Sequence, residues 1–106
     1  MRTRASLANI SALVEGRLPD PGTLLGPHEI EMQGRKAVAI RAYFPDSARV
    51  WLVDEAHKIK RPMRRIHPAG LYESVCSPPE NDGPFQYQLT VADPTGETIT
   101  MHDPYN

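Results

Sequence analysis

All eleven prolines of this 106-residue chain lie beyond Leu18, and six of its seven glycines lie there with them. Proline fixes φ and has no N–H to donate, so it is excluded from helix interiors and from central strands. Punctuation at this density cuts the chain into runs of roughly four to eight residues, strand-sized and too short for helices. Everything after Gly16 is therefore expected to be all-β, built from many short antiparallel strands.

The runs carry the matching alternation. In residues 37–44, Val38, Ile40, Ala42 and Phe44 fall on one face and Ala39, Arg41 and Tyr43 on the other. In residues 49–54, Val50 and Leu52 alternate with Trp51 and Val53, and periodicity alone does not decide which pair faces the core. Phe85, Tyr87, Leu89 and Val91 alternate strictly with Gln86, Gln88 and Thr90, a strand with one wet face. Asp93-Pro94-Thr95-Gly96 has the residue order of a type I turn, and the return strand 97–101 is expected to bury Ile99 and Met101. Hairpins of this kind over residues 18–106 predict an immunoglobulin-like sandwich of two packed sheets.

Residues 1–17 differ. From Thr3 to Glu15, Leu7, Ile10 and Val14 recur at spacings of three and four, with Leu13 widening the stripe. Thr3 is the expected N-cap, Gly16 follows the last turn, and Pro19 forbids continuation. One amphipathic helix must cover something, either the sandwich or a neighbouring domain.

Twelve basic residues against thirteen acidic ones leave a formal charge of −1, no field for holding a nucleic acid backbone. The dense basic stretch Lys58, Lys60, Arg61, Arg64 and Arg65 fits a solvated strand edge, where cations block aggregation. Cys76 is the only cysteine, so no intramolecular disulfide forms, which fits a reducing cytoplasm. The basic start, Met1 to Arg4, is not followed by the apolar run of a signal peptide. No stretch approaches the roughly 18 apolar residues of a membrane span. Neither nucleic acid nor membrane is an expected partner.

Catalytic and cofactor chemistry finds no foothold. Retaining glycosyl transfer needs two carboxylates about 5 Å apart, but Asp20, Asp46, Asp93 and Asp103 all adjoin proline turns, while Glu80 and Asp82 sit in a proline-rich loop. The histidines His28, His57, His67 and His102 show no metal-pair spacing. No phosphate loop or nucleophile elbow occurs. No cofactor is expected. Flat aromatic rings remain: Trp51, Tyr43 and Tyr72 are candidates for stacking on the apolar faces of an α-glucan. The competing role for Trp51 is packing under the amino-terminal helix or against another domain, and for the tyrosines core or rim packing.

Two signatures frame the chain, Asp20-Pro21 leading into Leu24-Leu25-Gly26-Pro27-His28, and Asp103-Pro104-Tyr105. Between them stand Arg41-Ala42-Tyr43-Phe44-Pro45-Asp46, Val50-Trp51-Leu52-Val53, Ile66-His67-Pro68-Ala69-Gly70-Leu71-Tyr72-Glu73 and Phe85-Gln86-Tyr87-Gln88-Leu89. In order and spacing, over nearly the whole chain, these segments resemble the amino-terminal domain of bacterial glycogen branching enzymes. The resemblance implies a non-catalytic accessory sandwich similar to carbohydrate-binding module family 48. The catalytic carboxylates of the larger enzyme, which moves α-1,4-glucan segments to make α-1,6 branches, would lie in a (β/α)₈ barrel outside this chain. Such enzymes often carry a second sandwich with an Asn-x-Trp sugar loop. That loop is missing here, so the chain resembles the first, more divergent copy, and Asn106 stands where relatives tend to carry Arg. Expected partners are α-glucan and the remaining domains of the parent enzyme. The rival reading is an interaction module docking through Leu7, Ile10 and Val14. A free-standing small enzyme is a third reading, and it would act on α-glucans by itself.

Overall fold

A computed structural model describes residues 5–55, 58–77 and 86–105. Among these residues eight strands follow one α-helix and a 3-10 turn (Pro21–Thr23): α1 (Leu7–Val14), then β1 (Gly26–Met32), β2 (Arg35–Tyr43), β3 (Arg49–Asp54), β4 (Ile59–Pro62), β5 (Arg64–His67), β6 (Leu71–Cys76), β7 (Tyr87–Ala92) and β8 (Thr98–His102). They form two four-stranded antiparallel sheets, ordered β1-β2-β6-β5 and β4-β3-β7-β8. This is the expected all-β, immunoglobulin-like sandwich. No described helix is long and apolar enough to cross a membrane.

The core lies between the sheets. Val38, Ile40, Ala42 and Tyr72 from the first meet Val50, Leu52, Tyr87 and Leu89 from the second, and Met63, the single residue joining β4 to β5, plugs one side. Burying each large side chain contributes roughly 1.5–3 kcal/mol. The ambiguity of β3 is thus resolved: Val50 and Leu52 face inward, so the period of two turns Trp51 and Val53 outward.

Alternation predicts two faces for β2, and both are buried. Behind the sandwich core, Ala39, Arg41 and the half-buried Tyr43 lie beneath other chain. There Ile10, 4 % exposed, packs with Leu24, Leu25 and Leu71, and Leu13 and Ile66 close around them. The helix stripe therefore covers the chain's own sheet through Ile10 and Leu13, while Leu7 remains 80 % exposed. Buried beneath it, Arg41 Nε donates to Glu73 Oε2 at 2.9 Å, and Arg64 Nη2 lies 3.7 Å from Glu73 Oε1.

Some boundaries differ from the sequence expectation. α1 starts at Leu7 because Ser6 caps it, its Oγ accepting from Asn9 N at 3.4 Å. Thr3, the expected cap, lies outside the described residues, as do His57, Glu80, Asp82, Phe85 and Asn106. Ile99, expected to be buried, is 60 % exposed, since β8 is an edge strand and Ile99 pairs with Val91 near its end. Thr90, expected on a wet face, is buried beside Trp51, with its hydroxyl 2.9 Å from that of Thr100.

The two framing signatures touch. Gly26 has φ +86°, and a Cβ there would stand 2.6 Å from the Tyr105 carbonyl oxygen. Tyr105 is held in place by Asp103, whose Oδ1 accepts from Tyr105 N at 2.9 Å while Oδ2 accepts from the buried Tyr87 hydroxyl. Burial first, then the carboxylate, pushes the Tyr87 phenol well above its usual range.

Candidate functional site

Trp51 occupies the outer face of the second sheet. Its cross-strand neighbours are Pro62 on β4 and Thr90 on β7, and Thr90 in turn faces Thr100 on β8. One row of side chains, Pro62-Trp51-Thr90-Thr100, thus crosses all four strands at a spacing of about 4.8 Å. Lys60 reaches over the indole, its Nζ 4.7 Å from the ring centroid. A cation at an exposed aromatic face contributes about 0.5–1 kcal/mol, weak enough for a ligand to displace.

Beside Trp51 opens a groove of about 270 Å³, lined by Arg49, Pro62, Arg65 and Tyr72. β5 follows β4 after one residue, and this short link carries Arg65 to the rim. Arg65 Nη2 donates to the Ser47 carbonyl at 2.9 Å, and its Nε donates to the Tyr72 hydroxyl at 3.1 Å. Ser47 Oγ donates to the Phe44 carbonyl at 2.7 Å and lies 2.9 Å from the same Tyr72 hydroxyl. The rim is therefore held in one geometry before any ligand arrives. An indole face, two guanidinium groups and a phenol suit a polyhydroxylated ligand with apolar faces, the composition typical of a small polar-lined cleft.

The three aromatic candidates separate. Tyr72 is 2 % exposed with its ring in the core, so it has no open face for stacking and reaches the groove only through the groove-lining end of its side chain. Tyr43 packs on the α1 cluster against the other sheet and shares no surface with Trp51. Of the two alternatives for Trp51, packing under the helix or against another domain, the first is not what the fold adopts, since the helix covers the opposite sheet. Of the expected helix face, Ile10 is buried, Val14 half-buried and Leu7 open. Arg49, Lys60 and Arg65 were not singled out as site residues. Lys60 and Arg65 belong to the basic stretch, Arg49 does not, and assigning any of the three to Trp51 required the strand register and packing.

The titratable groups are engaged elsewhere. Asp20 Oδ1 accepts from Gly22 N at 3.0 Å, and Asp93 Oδ1 accepts from Thr95 N and Glu97 N at 2.9 and 3.1 Å. These carboxylates hold their own turns, as expected beside proline. Cys76 is half-buried, and burial pushes its thiol up, away from the reactive thiolate. Among the described residues no three His, Cys, Asp or Glu side chains are grouped to hold a metal ion. The geometry suits binding through a ring face and hydrogen bonds.

Comparison with known proteins agrees with the framing signatures. The profile of the "alpha-1,4-glucan branching enzyme GlgB, N-terminal domain" family matches residues 6–105. A 1,4-alpha-glucan branching enzyme GlgB of Rhodopirellula baltica is 40 % identical over 105 residues, 99 % of this chain and 14 % of the relative. Enzymes of the same name from Synechococcus sp. (strain JA-2-3B'a(2-13)) and Rubrobacter xylanophilus are both 35 % identical, over 94 % and 91 % of this chain and 13 % and 12 % of their own lengths. The chain thus spans about a seventh of the curated relatives it matches. By this match the chain belongs to the family of alpha-1,4-glucan branching enzyme GlgB N-terminal domains.

Proposed function

We propose that the chain is a non-catalytic accessory module of a cytoplasmic 1,4-α-glucan branching enzyme, and that it positions glucan chains for the remaining domains of that enzyme. The observation that carries this reading is Trp51, turned out of the core beside a groove with fixed polar walls. A glucan would stack one sugar on the indole, displacing Lys60, and direct hydroxyls to Arg49 and Arg65. Helix and sandwich, 1–17 and 18–106, act as one unit in this role, since Ile10 ties them together.

Electrophoresis in gels containing amylopectin tests the reading. The chain should be retarded relative to a gel without polysaccharide, Trp51→Ala should abolish the retardation, and Lys60→Ala should preserve or increase it. Equal mobility of the parent chain in both gels would refute glucan positioning. Iodine staining of amylose incubated with the chain should remain unchanged, and a loss of colour would refute the non-catalytic reading.

One observation favours the second reading, an interaction module without sugar affinity. Leu7 stands 80 % exposed on α1. Docking would then use Leu7 with the half-buried Val14, while Ile10 serves the chain's own core.

A further inference from the structure

Sheet edges expose unpaired N–H and C=O groups, and proteins blunt them with charge, proline or bulges. Three of the four edges here follow that rule. β1 carries Pro27, Glu29 and Glu31; β4 carries Lys60, Arg61 and Pro62; β5 carries Arg64 and Arg65 with a register shift before His67. The fourth does not. β8, Thr-Ile-Thr-Met-His, has no Lys, Arg, Asp, Glu or Pro, pairs with β7 in unbroken register, and is rich in the β-branched residues that favour strand pairing. Thr98, Ile99, Thr100 and His102 are exposed, and among the described residues no backbone bond reaches the outer edge of β8 from another segment.

Beside this edge lies a groove of about 480 Å³ with an apolar floor of Phe44, Pro45, Val91 and Ile99. Its rim holds the carboxylates of Asp46, Asp93 and Glu97 and, among the described residues, no basic side chain. The Thr95 hydroxyl and nearby backbone amides hold the Asp93 carboxyl below its usual range, so it is anionic at neutral pH.

We propose that the β8 edge and the groove beside Ile99 form a docking site for an extended polypeptide segment that presents an apolar side chain flanked at two-residue spacing by Lys or Arg, all on one face. The segment adds a fifth strand to the sheet β4-β3-β7-β8. Main-chain hydrogen bonds along Thr98–His102 supply affinity, an apolar side chain seats against Ile99 and Phe44, and a Lys or Arg two residues along, on the same face of the added strand, meets the carboxylates, which together give specificity. A second copy of β8 is the wrong occupant, because it has no Lys or Arg to set against that rim. The site is independent of Trp51, which lies two strands away on β3.

The test uses the full chain, ¹⁵N-labelled, titrated with the blocked peptide Lys-Thr-Val-Thr-Lys-Thr, whose Lys and Val share one strand face, and with its counterpart in which each Lys is Glu. The Lys peptide should shift the amides of Thr98–His102 saturably and slow their exchange with solvent, and the Glu peptide should bind at least tenfold more weakly. Ile99→Lys should abolish the shifts, and the milder Ile99→Thr should weaken binding several-fold, with both variants retaining the parent melting temperature within a few degrees because Ile99 is exposed. Shifts that map elsewhere, equal binding of the two peptides, or unchanged binding by Ile99→Lys would each overturn the proposal. So would concentration-dependent dimerisation through β8, which would assign the edge to a second copy, or displacement of the peptide by maltoheptaose, which would assign the groove to glucan.

Discussion

Gly26→Ala isolates the contact between the two ends of the chain. Gly26 and Gly34 both have positive φ, +86° and +76°, so a Cβ at either position incurs the left-handed penalty of about 1–2 kcal/mol. Only their surroundings differ. A Cβ at Gly34 meets nothing within 4 Å, whereas at Gly26 it meets the Tyr105 carbonyl oxygen at 2.6 Å, its Cβ at 2.9 Å and its carbonyl carbon at 3.1 Å. Two of these are backbone atoms that no rotamer change can move. Overpacking adds roughly 1–3 kcal/mol, and displacing Tyr105 loosens the bond from its N–H to Asp103, worth about 0.5–1.5 kcal/mol. Gly26→Ala should therefore destabilise by roughly 3–6 kcal/mol and Gly34→Ala by about 1–2. For a domain near this size each kcal/mol lowers the melting temperature by about 4–8 °C. Thermal unfolding followed by circular dichroism should place Gly26→Ala far below Gly34→Ala, and truncation after Pro104 should shrink the Gly26→Ala penalty toward that of Gly34→Ala. Equal losses for the two variants in the full chain would refute the reasoning.

Three other outcomes follow from buried or turn-bound charges. Glu73→Ala strands Arg41 in the interior and should cost about 3–5 kcal/mol in chemical denaturation, whereas Arg41→Met with Glu73→Leu should cost much less, because neither charge is then left buried alone. The folded pKa of Tyr87 is raised, so its contribution is complete below the unfolded value of about 10 and is lost as pH rises beyond it. Tyr87→Phe should flatten the alkaline limb of a stability profile. Asp93 has the opposite sign: its pKa is lowered, first by the Thr95 hydroxyl, so its contribution is present above about pH 4 and disappears as pH falls through the folded value. Asp93→Asn should reduce the acid-side dependence, which pH titration of the folded chain checks.

Much of the fold is written in local pattern. The alternation of Tyr87 and Leu89, the Asp93-Pro94-Thr95-Gly96 turn, and the inward set Val38, Ile40 and Ala42 each depend on residues close in sequence, and each appears in the sandwich. What pattern could not decide depended on partners far along the chain. Trp51 and Val50 alternate with equal claims on the core, and only the packing of Leu52 and Val50 against the first sheet separates them. Ile99 is as apolar as any core residue, but strand order put it on an edge. Arg41 reads as an exposed residue until the helix and Leu24–Leu25 cover it and Glu73 pairs with it. The candidate site was legible as Trp51 and, at the groove wall, Tyr72. Its walls, Arg49, Pro62, Arg65 and Tyr72, come from β3, β4, β5 and β6, which only register and sheet stacking assemble.

The chain has a single tryptophan, so its fluorescence reports on the candidate site alone. Titration with maltoheptaose should produce a saturable change in Trp51 emission together with protection from acrylamide quenching, and cellobiose at the same concentration should produce neither. Emission and quenching that stay constant up to millimolar maltoheptaose would contradict the assignment of this face to α-glucan.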